Sequence, residues 1–184
     1  MDLLDFTGQE MYFDAPLPAE VDALIQDAAS DYGSEGGASA ELALLRAYFL
    51  APEQLSVLVA LYRYYYYQHR LEDALIVAER ALALSARDLG LDGGWRELDE
   101  ARLHELSQHA MPLTRFLLLA LKGAGYLELR LERATEALER LETLARLDTE
   151  GRLGIDSLLR LARSLVTEQQ IQGAGDNLHV LRRR

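Results

Sequence analysis

Five tyrosines fall within six residues, Tyr62 and Tyr64 to Tyr67, with Arg63 among them. A phenol combines a flat apolar ring with a hydrogen-bonding tip, and a guanidinium is a fixed fork of donors, so the cluster suits non-covalent recognition better than bond breaking. Other candidates for chemistry are sparse. His104 and His109 suggest the helical zinc motif, yet they stand five apart rather than four. On a helix that spacing turns them about 140° from each other. Gly123-Ala124-Gly125 lacks the lysine and the serine or threonine that follow a phosphate-binding loop, and reads instead as small residues where helices cross closely. His69 and His179 have no foreseeable acid or nucleophile beside them. The chain has no cysteine, which removes disulfides, thiolate metal sites, iron–sulfur ligation and cysteine nucleophiles together, and suits a reducing compartment. No catalytic, metal-binding or cofactor-binding residue is assigned, and the expectation is a protein that is not an enzyme.

The tyrosines need helices to hold them, and 55–86 reads as two. On the first, Leu58, Leu61, Tyr62 and Tyr65 follow the i, i+3, i+4, i+7 spacing of one face, with Arg63, Tyr66 and Tyr67 turned away. Tyr62, Tyr65 and one further tyrosine are expected in the core, with Tyr66 and Tyr67 exposed. On the second, Leu71, Ala74, Leu75, Ala78, Ala81 and Leu82 share a face, opposite Glu72, Asp73, Glu79 and Arg80. The turn Gln68-His69-Arg70 is so short that the pair must run antiparallel, and such a hairpin cannot bury its apolar faces alone. The 64–67 run has high β-propensity in isolation, but it sits inside a 3.6-residue pattern, and no stretch reads as strand.

Around this hairpin the chain orders as follows. Residues 1–18 read as an extended acidic arm whose aromatics, Tyr12 and Phe13, offer a means of docking. A helix from Ala19 places Val21, Leu24, Ile25, Ala28 and Tyr32 on one face, and Gly33 to Gly37 forms a loop. Ser39 is read as the cap of a second helix with Leu42, Leu45 and Phe49 toward the core, and Pro52 as lying in the first turn of the next. Asp88 to Gly94 breaks the pattern and Trp95 to Ala110 reads as an inserted helix. Pro112 starts a long apolar helix, Leu113 to Leu129, whose partner runs from about Arg133 to Leu147. Ile155, Leu158, Leu159, Ala162, Leu165 and Val166 give a terminal amphipathic helix, and 169–184 reads as a polar tail. Residues 19–168 are expected to form one domain.

The central hairpin resembles a tetratricopeptide repeat, through Tyr65, Ala74, Ala81 and the ending ERALAL, although His69 stands where that family prefers glycine and Tyr62 where it prefers a small residue. A second copy with Gly123, Tyr126, Ala137, Leu141 and Leu144 is similar to it. If Tyr126 answers to Tyr65, its turn, near Arg130 to Arg133, is two residues longer, which leaves the register of Leu118 to Leu129 open. The resemblance implies an all-α fold of antiparallel helix pairs stacked as a short superhelix, with repeats at about 55–88 and 116–151, an inserted helix and a C-terminal capping helix. It also implies that the first helix of each pair lines a concave groove, which makes Arg63, Tyr66, Tyr67, Tyr126 and Arg130 the partner-binding candidates. The segments MYFDAPLPAEVDALIQDAA, LLRAYFLAPEQLSVLVALYRYYYYQHRLEDAL and MPLTRFLLLALKGAGYLELRL are similar to the small acidic tetratricopeptide-type nitrogenase-associated factors of nitrogen-fixing bacteria. That similarity implies a non-catalytic assembly or protection factor that binds nitrogenase component protein, with the molybdenum–iron protein as the first candidate. The alternatives are a chaperone of another client, as in secretion systems, a small all-helical enzyme or ligand sensor, and self-association through the apolar run Phe116 to Leu121.

Hydrophobic content of 49% and charged content of 27% describe a chain that folds. Of the net charge of −11, most belongs to residues 1–62, which hold eleven acidic side chains and one basic one, Arg46. A phosphate backbone is a poor partner for such a chain, whose compact basic cluster is Arg182-Arg183-Arg184. The acidic start and the shortness of the apolar runs, against the about 20 residues that span a bilayer, lead to the expectation of a cytoplasmic protein.

Overall fold

In the computed structural model, which describes residues 15–30 and 37–181, the described residues form eight α-helices and one short 3-10 helix. The helices are α1 (Ala19–Ser30), α2 (Gly37–Leu50), α3 (Leu55–Tyr67), α4 (Leu71–Asp88), α5 (Glu100–His109), α6 (Met111–Arg130), α7 (Ala134–Leu147) and α8 (Asp156–Leu181). They pack as adjacent antiparallel pairs, α1 with α2, α3 with α4 and α6 with α7. Helix α4 lies against α6 and joins the second pair to the third, α2 touches α3, and α8 lies along α7. Of the arm read over 1–18, only 15–18 falls within the described residues, and there Leu17 is half-buried against the core. Tyr32 and the loop residues Gly33 to Gly36 lie outside them. Among the described residues no helix is long and apolar enough to cross a membrane.

The turns explain why the pairs form. After α3, His69 adopts a left-handed φ of 58°, its N–H donates to Tyr66 O at 3.1 Å, and the Arg70 N–H donates to Tyr65 O at 2.9 Å. After α6, Glu132 has φ 62°, its N–H donates to Leu129 O at 3.2 Å, and Arg133 N–H donates to Glu128 O at 2.8 Å. Both are Schellman caps, which satisfy the last carbonyls of one helix while reversing the chain into the next. Helix α4 ends in the same way with Gly90 at φ 68°. His69 thus stands in a glycine-type conformation, which is why the residue type expected there from the resemblance is glycine.

Matching these two turns corrects the register of the second copy. The turns have the same length and hydrogen bonds, so Ala137 answers to Ala74, Gly125 to Tyr62, Glu128 to Tyr65 and Tyr126 to Arg63. The longer turn came from equating two tyrosines that are not equivalent. Gly125 sits where helices cross closely: a Cβ there would lie 3.4 Å from Leu141 Cγ.

Other expectations change as well. Helix α2 is rotated from the predicted face: Ala40, Leu44 and Ala47 are buried, while Leu42 is 61% and Phe49 80% exposed. The predicted Leu45 does pack half-buried against the core, beside the buried stripe of Ala40, Leu44 and Ala47. Ser39 lies within the first turn of α2 and Pro52 in the turn before α3. The inserted helix is two pieces, a 3-10 helix at Gly94–Glu97 that buries Trp95, then α5, whose N-cap Asp99 accepts from Arg102 N–H at 2.7 Å. Helix α8 runs through Leu181, so the segment from 169 read as tail is helical that far. Phe116, Leu117, Leu119, Ala120 and Leu121 are buried within the chain, which withdraws that run as a self-association surface.

Candidate functional site

Helix α3 divides its tyrosines by burial. Tyr62, Tyr64 and Tyr65 are buried, Tyr66 is half-buried and Tyr67 is exposed. The buried Tyr65 hydroxyl donates to Glu41 at 3.3 Å, while the Arg70 guanidinium lies 4.5 Å from the Tyr65 ring centre and bonds Glu41 at 2.7 Å. Burial first, then the nearby Glu41 carboxylate, pushes the Tyr65 phenol up to about 12. Tyr65 is therefore a structural residue that ties α2 to α3.

Tyr66 turns the other way. Its ring stacks on Tyr62 with centres 6.2 Å apart, meets Tyr67 edge-on at 5.6 Å, and reaches Tyr126 of α6 at 6.3 Å. The Tyr66 hydroxyl lies 3.5 Å from that of Tyr126, which accepts from Arg130 Nη1 at 3.0 Å. Tyr126 and Arg130 stand one turn apart on α6, so the hydroxyl holds the guanidinium over its own ring, 5.9 Å from the centre. Arg63 and Tyr67 line a cleft of about 690 Å³ together with Ile25, Ala28 and Ala29 of α1, Leu44 of α2 and Ala60 of α3. Of the five residues predicted to bind a partner, Tyr66, Tyr126 and Arg130 are in contact through Tyr126, and Arg63 and Tyr67 line the cleft, with the Tyr66–Tyr67 ring contact between the two groups. Three aromatic rings, two cations and an apolar recess can grip a peptide or helix.

The histidines do otherwise. His104 Nε2 lies 2.9 Å from Gln108 Nε2 and His109 Nδ1 lies 3.0 Å from the Glu105 carbonyl, both on exposed α5.

A second polar cluster escaped the sequence reading. Glu128 of α6 is 3% and Arg140 of α7 is 7% exposed, and Arg140 Nε donates to both Glu128 oxygens at 2.9 Å. Arg140 Nη2 also bonds Glu79 of α4, and its guanidinium lies 5.3 Å from the Trp95 ring centre. The Arg96 guanidinium lies 4.3 Å from the Trp95 ring centre and pairs with Glu139 at 2.7 Å. Burial pushes the Glu128 carboxyl up to about 6, with Arg140 pulling in the opposite direction. The cluster bolts α4, α6, α7 and the insertion together. Its signal was present: Glu128 continues the apolar stripe Leu117, Leu121, Ala124, and Arg140 falls on the stripe of Ala137, Leu144 and Leu147.

No protein-family model matches the chain. It is 46% identical over 159 residues, 86% of this chain and 87% of the relative, to an uncharacterized protein of Azotobacter chroococcum mcd 1. At that identity and coverage, the chain belongs to the same family as the uncharacterized 19.8 kDa protein in the nifW 5′ region of that bacterium.

Proposed function

We propose that the chain is a non-catalytic, tetratricopeptide-type protein-binding module that acts in nitrogen fixation by associating with a nitrogenase component protein, the molybdenum–iron protein first among them. The observation that carries the binding role is the continuity of Tyr66, Tyr126 and Arg130 with the cleft lined by Arg63 and Tyr67. Tyrosine and arginine are the side chains that most often dominate binding energy. The repeated helix pairs with matching turns support the tetratricopeptide reading, and the place of the relative's gene near nifW supports the nitrogen-fixation context.

The test is affinity capture of the tagged chain from its native host grown with and without fixed nitrogen, beside the variant Tyr67→Ala with Arg130→Ala. Both side chains are exposed, so the variant keeps the fold and probes the face alone. Nitrogenase subunits recovered by the wild type and lost from the variant support the proposal. Recovery of a different client through the same residues favours a chaperone of other proteins, and equal recovery by both forms removes the face from the account.

A further inference from the structure

We propose that the accessible stripe of α6 receives an acidic, amphipathic helix of a protein partner, with carboxylates of that helix at Arg115, Lys122 and Arg130 and its apolar residues over Leu118 and Tyr126. This rests on the binding role proposed above and names the chemistry of the partner's segment.

Burial and charge carry the proposal. Beyond the first turn of α6, the side chains that escape burial are Arg115, Leu118, Lys122, Tyr126 and Arg130, one stripe at steps of three or four residues. The stripe holds three cations and no acid, in a chain of net charge −11. The acid of α6, Glu128, is buried and bonded to Arg140. Helix α3, whose Tyr66 hydroxyl lies 3.5 Å from that of Tyr126, adds Arg63 and has no acid. Acids collect instead on the second helix of each pair, with Glu72, Asp73 and Glu79 on α4 and Glu136, Glu139 and Glu142 on α7. The partners of the cations differ too. Exposed arginines elsewhere hold carboxylates, as in Arg87 with Glu53, Arg96 with Glu139 and Arg133 with Glu72. On the stripe, Lys122 donates to the Leu153 carbonyl at 2.6 Å and Arg130 to the Tyr126 hydroxyl at 3.0 Å, so among the described residues neither has a carboxylate. An ammonium has three donors and a guanidinium five, so one such bond leaves donors for an acid. Cation and apolar side chain alternate about once a turn along the 20 residues of α6, which are about 30 Å long. A helix laid alongside has the same rise. In parallel register its carboxylates at i, i+7 and i+15 meet the three cations, and apolar residues at i+3 and i+11 cover Leu118 and Tyr126.

The probe is a dye-labelled, alanine-rich synthetic helix of about 20 residues with glutamates at i, i+7 and i+15 and leucines at i+3 and i+11, titrated with the full chain and followed by fluorescence anisotropy. Two controls accompany it: a scrambled peptide of the same composition that spreads its glutamates around the helix, and a peptide with lysines in place of the glutamates. The expected result is binding of the glutamate stripe roughly tenfold or more tighter than of the scrambled peptide, weakening as salt rises. Arg115→Glu with Arg130→Glu changes two exposed side chains and removes that binding, while the lysine peptide now binds the variant. No binding by the wild type, equal binding of striped and scrambled peptides, or unchanged binding by the variant overturns the proposal. So does a doubled mass of the wild type in light scattering that the same variant abolishes, since the stripe then belongs to a second copy of the chain. If the peptide fails while Tyr67→Ala with Arg130→Ala still loses its captured partner, the binding role stands and the partner's chemistry is a different one. If the peptide binds as expected while capture from the host fails, the stripe takes acidic helices and the nitrogenase reading falls.

Discussion

Replacing Arg140 with methionine strands a carboxylate. In the wild type, both Glu128 oxygens accept from Arg140 Nε at 2.9 Å, in a site where Glu128 is 3% exposed. Taking away one partner of a buried pair destabilises by about 3–5 kcal/mol, because the remaining charge keeps its desolvation penalty and loses its compensation. The loss depends on pH in a definite direction. The folded Glu128 carboxyl titrates at about 6, above its ordinary value of 4.5, so the fold binds the proton more tightly than the unfolded chain. Stability from this group is therefore fully present below about 4.5 and declines as pH rises through about 6, by about 2 kcal/mol in the wild type. Arg140 opposes the upward push, so Arg140→Met raises the carboxyl further and steepens the decline. The variant is expected to lose about 3–5 kcal/mol at pH 7.5 and only about 1–2 kcal/mol at pH 5.5, where Glu128 is neutral in the fold. Glu128→Leu with Arg140→Met removes both charges and is expected to fall near wild type or above it. The second pair of helices shows that this exchange is sterically reasonable, since Tyr65 and Val77 occupy the equivalent positions there and are both buried. Urea unfolding followed by circular dichroism at the two pH values measures each difference. A loss below about 1 kcal/mol at pH 7.5, or one that does not change with pH, would refute the reasoning.

Other substitutions test separate parts of the fold. Leu44→Ala should cost about 2–5 kcal/mol and Phe49→Ala less than about 0.5 kcal/mol in urea midpoints, reversing the order that the predicted α2 face requires. His69→Gly should stabilise by roughly 0.5–1 kcal/mol, since glycine adopts the left-handed φ without a Cβ penalty, and His69→Val should destabilise. Asp99→Ala removes the bond to the Arg102 N–H and should cost about 1 kcal/mol, seen as faster amide exchange in the first turn of α5.

Much of the helical order was legible because period and punctuation agree. Leu71, Ala74, Leu75 and Ala78 face the core as spaced, Pro112 stands at the start of α6, and the chain reverses at Gln68-His69-Arg70. What was missed has physical causes. In α2 two stripes compete, and hydrophobicity alone selects the bulkier Leu42 and Phe49, whereas close packing selects Ala40, Leu44 and Ala47. The equivalence of the two hairpins is written in turn geometry, and Glu132, like His69, is a residue type that does not announce a left-handed conformation. Glu128 and Arg140 sit on apolar stripes, and a reading that treats charge as solvent-facing passes over them although they compensate each other. At the candidate face, helical spacing placed Tyr62 and Tyr65 inside and Tyr67 outside, while Tyr66, expected exposed, is half-buried against Tyr62 and Tyr126, and its link through Tyr126 to Arg130 needed tertiary packing to see.

The most direct measurement for the central claim is a titration of the full chain with purified molybdenum–iron protein by isothermal calorimetry, wild type beside Tyr67→Ala with Arg130→Ala. Saturable binding by the wild type, weakened roughly 30-fold or more in the variant at unchanged urea midpoint, is the predicted result, because two interfacial anchors together contribute about 2 kcal/mol or more. Binding of equal strength in both forms, or none by the wild type, would contradict it.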